Sequence, residues 1–288
     1  MVVGVFNLLP FSFALRLTRP IGIFLFWILK RSRRTALENL RKVYGGEKSE
    51  PEIKKIAQAS FIYLAGFAIE WFRMSEIAKN PERYLAIRNV ERIHSALKQK
   101  KGAMLLVSHG GNWEIMALIA GLLIARPVGA SIYALARPLR NHYLYNYVIR
   151  LRGLTGLESI RKTGAVRETF ARLKENGIVS LLVDQRVSEG SVVATFFGRE
   201  ALTTSLPALA ARRLGTPVFF IFLNRTPDLR FVMDVEGPFP TEATRDPQRD
   251  IQVNTQRFND RLEAEIRKDP RRWLWMHNRW RLAHAPKH

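Results

Sequence analysis

Short apolar runs alternate with amphipathic stretches along most of this chain beyond residue 80, and this alternation predicts an α/β fold. Because strands and helices alternate, the order of elements indicates a largely parallel sheet flanked by helices. The apolar runs predict strands at 103–108, 128–134, 178–183 and 217–223. The amphipathic stretches predict helices at 113–124, 140–151, 165–175, 206–214 and about 250–267. We also predict a strand, a turn and a helix start within 195–204, and a loop at 237–249.

The first 78 residues have a different, all-helical pattern. Ser49 and Glu52 have the spacing of a capping box, and apolar residues then recur with helical spacing as far as Trp71. The pattern changes after the Asn80–Pro81 pair. We therefore predict a helical, membrane-associating segment at 1–78 and an α/β domain at 79–288.

The amino terminus predicts contact with a membrane. Residues 1–15 carry no charged side chain, residues 21–29 are apolar again, and the basic cluster Lys30–Arg34 follows. Neither apolar run reaches the ~18 residues of a spanning helix, and Arg16 and Arg19 would lie near the middle of one long span. We predict a helix in the membrane interface, with the basic cluster on anionic headgroups. A helix in the protein core is the alternative.

The chain is strongly basic, with 46 Lys and Arg against 25 Asp and Glu, a net charge of +21. Such a field attracts nucleic acid, anionic lipid surfaces, phosphorylated substrates or acidic proteins. The apolar fraction of 47% is ample for a packed core. The absence of cysteine excludes disulfides, thiolate nucleophiles and cysteine-based metal sites. We see no metal-binding motif, and we expect neither a metal nor a cofactor.

The strand predicted at 103–108 is followed by the sequence His-Gly-Gly-Asn-Trp-Glu at His109–Glu114, which begins with a histidine and ends with a carboxylate. Asn112 is placed to cap the helix that follows. Imidazole can accept a proton, and a carboxylate can fix its tautomer and stabilise the imidazolium. Such a pair can activate a hydroxyl group for attack on an acyl group. A histidine that lies in the core at a strand end, without a catalytic role, is the alternative.

Polar side chains also follow the strand predicted at 178–183. Asp184 and Gln185 would lie at the same sheet edge as His109 if the sheet is parallel. Asp184 could then hold a partner arginine or the histidine, and Arg186 could bind phosphate. Loop polarity after a buried strand is the alternative.

Arginines and tryptophans form the remaining candidates. Arg137, Arg150 and Arg152 each offer a planar guanidinium suited to phosphates. Near the carboxyl end, three tryptophans interleave with four arginines at 271–281. This pattern suits a lipid–water interface or stacking on nucleic-acid bases, and a structural cap on the sheet is the alternative.

Together these motifs resemble the bacterial lipid A late acyltransferases, the lauroyl and myristoyl transferases to which the mycobacterial phosphatidylinositol mannoside acyltransferases are related. The resemblance extends from Arg33–Leu40 to Arg281, nearly the whole chain. It rests on Ser108–Glu114, Val183–Gln185, Phe196–Gly198 with the threonines that follow, and Trp273–Trp280.

The resemblance implies a glycerolipid-acyltransferase-like α/β fold. It implies transfer of a fatty acyl chain from acyl-carrier protein or coenzyme A to a glycolipid hydroxyl, at the inner face of the cytoplasmic membrane. In this chain it implies His109 as the general base and Glu114 as its orienting carboxylate. We expect the following residues to bind substrate: Asn112, Arg137, Arg150, Arg152, Asp184 and Gln185.

The predicted protein is therefore a membrane-associated acyltransferase of the bacterial inner membrane. Its acceptor would be a phosphorylated glycolipid such as a lipid A precursor, its surface partner an anionic membrane, and we expect no nucleic acid. One alternative is an acyltransferase for lysophospholipids or other lipids. The other is a basic nucleic-acid-binding protein that uses the charge and the carboxy-terminal tryptophans, which leaves the apolar amino terminus and the His–Glu pair without a role.

Overall fold

Helices form the first part of the molecule, as the sequence pattern predicts. The structure is a computed structural model that describes residues 10–136, 142–161, 164–226, 228 and 230–281. The predicted capping box is present, because the Ser49 N–H and Oγ both donate to Glu52 Oε2, at 2.9 and 2.6 Å. The described helices before the first strand are α1 Phe11–Arg16, α2 Thr18–Ile28, α3 Lys30–Tyr44, α4 Glu50–Phe72, α5 Met74–Lys79 and α6 Pro81–Tyr84.

A mainly parallel sheet of seven strands forms the centre of the molecule, and it confirms the predicted α/β fold. Its strands are β1 Leu85–Arg88, β2 Ala103–Val107, β3 Ile132–Ala136, β4 Leu157–Arg161, β5 Ile178–Leu182, β8 Val218–Arg225 and β9 Phe231–Glu236. A separate antiparallel hairpin consists of β6 Ser191–Phe196 and β7 Arg199–Thr204. The strand order in the sheet is β1-β9-β8-β2-β5-β3-β4, and in the described residues only the β8–β9 contact is antiparallel.

The later helices lie close to their predicted positions. They are α7 Val90–Leu97, α8 Trp113–Ile119, α9 His142–Gly153, α10 Ala165–Lys174, α11 Leu206–Leu214 and α12 Pro247–Lys268. Helix α8 continues as a π-helix at Ala120–Ala125 and a 3-10 turn at Arg126–Val128. This turn, with Gly129 in the left-handed region at φ 63°, delays β3 to Ile132, so the strand predicted at 128–134 began too early.

Three strands of the sheet and one strand of the hairpin were not among our predictions. Strands β1, β4 and β9 contain charged residues among their apolar ones, so they lack the continuous apolar run of β2. Strand β7 occupies the part of 195–204 where we expected a turn and a helix start. Its residues run from the exposed Arg199 and Glu200 to the buried Thr203 and Thr204, without the alternation of apolar and polar side chains that marks a strand in the sequence.

The amino-terminal helices share their hydrophobic core with the sheet. Phe26 of α2 and Phe61 of α4 pack edge to face with ring centroids 5.4 Å apart, in the same buried cluster as Met104 and Leu106 of β2. Gly22 lets α2 approach α4 closely, since a Cβ placed there would lie 2.4 Å from the Ile62 Cα. The change in secondary structure near residue 78 therefore occurs within one packed unit.

One described segment is long and apolar enough to cross a membrane. It runs from Phe11 to Ile28, with a mean hydropathy of 1.4 and 17% of its residues buried. It consists of two helices, α1 and α2, and one face of α2 is fixed against α4. One face of α2 therefore packs against the protein, and the other is exposed.

Replacing Gly22 with alanine is expected to destabilise the protein by about 1–3 kcal/mol, the usual cost of overpacking. Alanine's helix propensity favours the variant by at most about 1 kcal/mol, so the backbone clash decides the sign. Gly46→Ala is the matched control, because nothing lies within 4 Å of its added Cβ. Chemical denaturation of both variants measures the difference. Equal stabilities would show that α2 does not pack against α4 in solution.

Candidate active site

Two neighbouring strands bring the predicted histidine to a carboxylate. Strands β2 and β5 are parallel, and Val107 pairs with Leu182 at their carboxyl ends. Two residues further along each chain lie His109 and Asp184. The strand register therefore places these two side chains opposite each other at the carboxyl edge of the sheet, where open α/β sheets bind ligands.

Asp184 holds His109 through two hydrogen bonds. Its Oδ1 lies 2.7 Å from His109 Nδ1, and its Oδ2 accepts the His109 backbone N–H at 2.6 Å. The indole Nε1 of Trp273 also donates to Oδ2, at 2.7 Å. Burial raises the pKa of Asp184, but attraction to the protonated form of His109 and the hydrogen bonds from His109 and Trp273 outweigh it and hold this pKa below its usual range. The carboxylate is therefore ionised and accepts all three hydrogen bonds.

The other nitrogen of the imidazole faces Gln185. Because an ionised carboxylate only accepts, His109 Nδ1 carries the hydrogen, and Nε2 of the neutral ring is left as an acceptor. The side-chain amide of Gln185 donates to this Nε2 at a distance of 3.0 Å. Asp184 and Gln185 were predicted to bind substrate, and in the structure each one contacts the imidazole.

Glu114 does not hold the position that the resemblance implied for it. Its carboxylate pairs with the Arg152 guanidinium, at 2.9 Å from Nη2 and 3.3 Å from Nε, and both side chains are largely buried. Arg152 reaches Ser159 Oγ of β4 as well. In the structure Asp184, and not the expected Glu114, contacts the imidazole of His109. Glu114 instead ties α8 to Arg152 near the end of α9.

Asn112 caps its helix as predicted, but both ends of its side-chain amide are used within the protein. Its Oδ1 accepts from the Glu114 and Ile115 backbone N–H groups, each at 3.2 Å. Its Nδ2 donates to Glu70 Oε2 of α4 at 2.9 Å, and Glu70 also pairs with Arg225 at 2.7 Å. The side chain is 1% exposed. Its visible role is to fix the turn that carries His109.

Two further arginines were predicted to bind substrate, Arg137 and Arg150. Arg137 lies outside the described residues. Arg150 is exposed on α9, and its guanidinium lies 5.7 Å from the centroid of the Tyr147 ring. His109, Asp184 and Gln185 thus form one cluster, and Glu114 with Arg152 forms a second.

The carboxy-terminal tryptophan segment holds the loop that carries Asp184. Its three tryptophans are buried, with Trp275 fully inaccessible, so the structure favours the predicted cap over an exposed stacking surface. Besides the Trp273 bond to Asp184, His277 Nε2 accepts the Arg186 N–H at 3.3 Å, and Arg279 Nη1 donates to the Gln185 carbonyl at 3.4 Å. Sequence reasoning noted the segment but missed these contacts, which only tertiary packing creates.

Arg279 is the most unusual group of this segment, because it is a fully buried arginine that bonds mainly neutral acceptors. It donates to the Leu202 carbonyl at 2.7 Å and to Thr203 Oγ1 at 2.6 Å. Burial lowers the pKa of Arg279 to about 10, and the negative charge of Asp184 opposes that shift. Within the described residues, no group of three or more His, Asp or Glu side chains is arranged to hold a metal ion.

Comparison with known proteins identifies the family. A family model described as "Bacterial lipid A biosynthesis acyltransferase" matches residues 1–282. The chain belongs to that family. The predicted resemblance is confirmed.

Individual relatives are more distant. A phosphatidylinositol mannoside acyltransferase of Mycolicibacterium smegmatis is 26% identical over 200 residues, which are 68% of this chain and 62% of that protein. The chain thus matches less than two thirds of that relative's length. The lipid A biosynthesis palmitoleoyltransferase of Escherichia coli K12 is 24% identical over 284 residues, 95% of this chain and 86% of that protein. Among solved structures, the 1-acyl-sn-glycerophosphate acyltransferase of Thermotoga maritima aligns with a TM-score of 0.38 and 13% identity, over 88% of this chain and 97% of that one.

The Glu114–Arg152 pair is expected to contribute strongly to stability. Glu114→Gln leaves a buried guanidinium without its counter-charge, so we expect unfolding to become easier by roughly 3 kcal/mol, near the lower end of the cost of breaking a buried ion pair. The control is Glu175→Gln, which removes the exposed partner of Arg172 and should cost less than about 1 kcal/mol. Urea denaturation of the two variants gives the comparison. A loss no larger than the control's would mean that Arg152 does not depend on Glu114.

Proposed function

We propose that this protein transfers a fatty acyl chain from an acyl thioester to a hydroxyl group of a phosphorylated glycolipid. The observation that carries the proposal is the His109–Asp184 pair at the carboxyl edge of β2 and β5. Membership of the family supports the reaction type, and the names of the relatives in E. coli and M. smegmatis support a glycolipid acceptor, such as a lipid A precursor. Another lipid hydroxyl, for example that of a lysophospholipid, suits the same chemistry.

The proposed reaction uses His109 as a general base. Its Nε2 takes the proton from the acceptor hydroxyl as the oxygen attacks the thioester carbonyl carbon. A carbon–oxygen bond forms, the tetrahedral intermediate collapses, and the carbon–sulfur bond breaks. The leaving thiolate then takes the proton back from the imidazolium. Asp184 remains ionised throughout, so it keeps Nδ1–H oriented and stabilises the positive charge on the ring while the proton is there.

An apolar cavity beside this site is the proposed position of the acyl chain. It lies between α8 and the sheet and measures about 50 Å³, which is far below the usual size of a ligand pocket, so the chain must widen it on entering. Glu114 and Arg152 stand at its wall, next to Trp113, whose ring centroid is 4.8 Å from that of His109. The apolar lining comprises Val107, Met116, Ala117, Ala120, Ile132, Ala134, Leu135, Leu157 and Leu182.

The positive charge of the protein suits the proposed thioester donors and the proposed phosphorylated acceptor. A net charge of +21 attracts an acidic acyl-carrier protein and also the phosphates of coenzyme A, so its sign alone fits either thioester. It equally suits a phosphorylated acceptor. In contrast, the buried carboxy-terminal tryptophans cannot stack on bases, and this removes the feature that favoured nucleic acid as the partner.

The proposed membrane surface is formed by α2 and α3. Phe24, Trp27 and Ile28 of α2 are at least half exposed, although neighbouring Phe26 is buried in the core. An open groove at the start of α3 is lined by Lys30, Arg31, Arg33, Arg34, Leu37 and Arg41. Exposed aromatic side chains beside a basic groove are the features of an interfacial helix on an anionic leaflet. We propose that this surface lies on the cytoplasmic face of the inner membrane.

Removal of the proposed base is expected to lower acyl transfer by about 10²–10⁴, the usual contribution of a general base. His109→Ala and Asp184→Asn should both show the loss, because the second variant keeps the shape of the side chain but not its charge. Glu189→Gln, an exposed residue of the same loop, is the control. The measurement is the transfer of labelled lauroyl groups from their thioester to glycolipid in detergent. Near-normal transfer by His109→Ala would overturn the mechanism.

The exposed face of α2 is expected to anchor the protein. Trp27 is 51% exposed, and its insertion into a bilayer is worth on the order of 2 kcal/mol, so Trp27→Ser should weaken vesicle binding by at least about tenfold. Val193→Ser removes a similarly exposed apolar side chain on β6 and should have little effect. Sedimentation with phosphatidylglycerol-containing vesicles, at low and high salt, gives both affinities. Equal losses for the two variants would place the anchor elsewhere.

A further inference from the structure

We propose that the side-chain amide of Gln185 masks the proton-accepting nitrogen of His109 until the acceptor hydroxyl replaces it, and thereby protects the acyl thioester from hydrolysis. This inference rests on the proposed function, because it takes His109 as the base of an acyl transfer. Gln185 is then neither the base nor a ligand of the acceptor. It is a positioning residue that decides which hydroxyl the base can deprotonate.

The first step of the argument is the geometry of the imidazole. Asp184 occupies the Nδ1 side of the ring, so Nε2 is the atom that must accept the proton of an attacking hydroxyl. Gln185 donates an amide hydrogen to that atom at 3.0 Å, the distance at which a hydroxyl oxygen would also bind. The amide and the attacking hydroxyl therefore compete for one position.

The second step concerns water. A cavity lined in part by His109 and Trp113 measures about 10 Å³, close to the smallest volume that holds one water molecule. A water on Nε2 could attack a bound thioester in the same way as the acceptor. Its oxygen would bond the carbonyl carbon, its proton would pass to Nε2 and then to the leaving thiolate, and the products would be a fatty acid and a free thiol. A base that is open to water would thus waste the donor whenever no acceptor is bound.

The third step is that only the side chain of Gln185 can move easily. The backbone on both sides is fixed, because Asp184 is bonded by His109 and Trp273, the Gln185 carbonyl accepts from Arg279, and the Arg186 N–H donates to His277. The Gln185 side chain itself is half-buried, so it can rotate toward solvent without disturbing this loop. Uncovering of the base then requires one side-chain rotation and the exchange of one hydrogen bond.

The fourth step is the difference between the two competitors. The hydrogen bond from the Gln185 amide to Nε2 is an ordinary neutral one. A water molecule that displaced it would form one hydrogen bond of similar strength, so the exchange gives the water no net gain in free energy. The acceptor hydroxyl is delivered by a lipid that is bound elsewhere on the protein, so its effective concentration at Nε2 is far higher than that of a free competitor. The same contact therefore slows hydrolysis more than it slows transfer.

The test uses the purified full-length protein with lauroyl-coenzyme A and no acceptor, and it measures release of free thiol. Gln185→Ala should raise hydrolysis by roughly three- to tenfold, the effect of losing one neutral hydrogen bond. Gln185→Met keeps the length of the side chain but has no donor, so it should raise hydrolysis too. Ser188→Ala, an exposed residue of the same loop, should behave like the native protein. Thermal unfolding of all variants should be nearly unchanged.

The outcomes separate this inference from the proposed function. In each variant, hydrolysis should fall when His109→Ala is added, because the same base serves both reactions. Hydrolysis and transfer that both persist without His109 would overturn the proposed function. If His109 is required but Gln185→Ala leaves hydrolysis unchanged, the masking role is wrong. If Gln185→Ala lowers transfer alone, Gln185 binds the acceptor and the masking role is again wrong. Native-like hydrolysis by Gln185→Met would likewise overturn the role of the amide hydrogen.

Discussion

The charge of one buried carboxylate organises the candidate site. Asp184 is removed from solvent, and an ionised carboxylate in that environment is tolerated only when donors satisfy its oxygens. The backbone and ring of His109 and the indole of Trp273 supply those donors. Each of them is then fixed in place, because a donor that turned away would leave a buried charge unsatisfied. The orientation of the imidazole is thus a consequence of the requirement to solvate Asp184 within the protein.

The carboxy-terminal tryptophan segment packs against the loop that carries Asp184 and supplies part of this solvation. Arg279 is a second buried charge. The negative charge of Asp184 attracts it, although the two side chains form no hydrogen bond with each other. Its hydrogen bonds go to Leu202, Thr203 and the Gln185 carbonyl, so it joins the β6–β7 hairpin to the loop that carries the acid. Buried charges of opposite sign at a short distance stabilise each other more than exposed ones would.

The sequence was sufficient to find the sheet edge and the histidine, but not the partner of the histidine. The apolar runs of β2 and β5 are local signals, and polar residues directly after them mark the edge where His109 and Asp184 lie. The spacing between His109 and Glu114 is also local, yet a helix beginning at Trp113 directs Glu114 toward Arg152 rather than back to the strand end. Which carboxylate meets the ring depends on strand order and register, and these are set by packing between segments about 75 residues apart, which no local pattern records.

The same distinction applies to the two ends of the chain. Both segments are rich in aromatic residues, but the carboxy-terminal tryptophans are buried, whereas Phe13, Phe24 and Trp27 near the amino terminus are exposed. Helix α3 connects the two, because Asn39 donates to the carbonyls of Trp275 and His277, both at 2.8 Å.

The basic groove begins on that same helix, and the tryptophan segment bonds the loop of Asp184. Since these contacts are buried or partly buried, packing fixes the distance between the basic groove and His109. A lipid held by its headgroup at the groove would therefore meet the base at a constant depth, and this is the geometric condition for selecting one hydroxyl among several on a glycolipid.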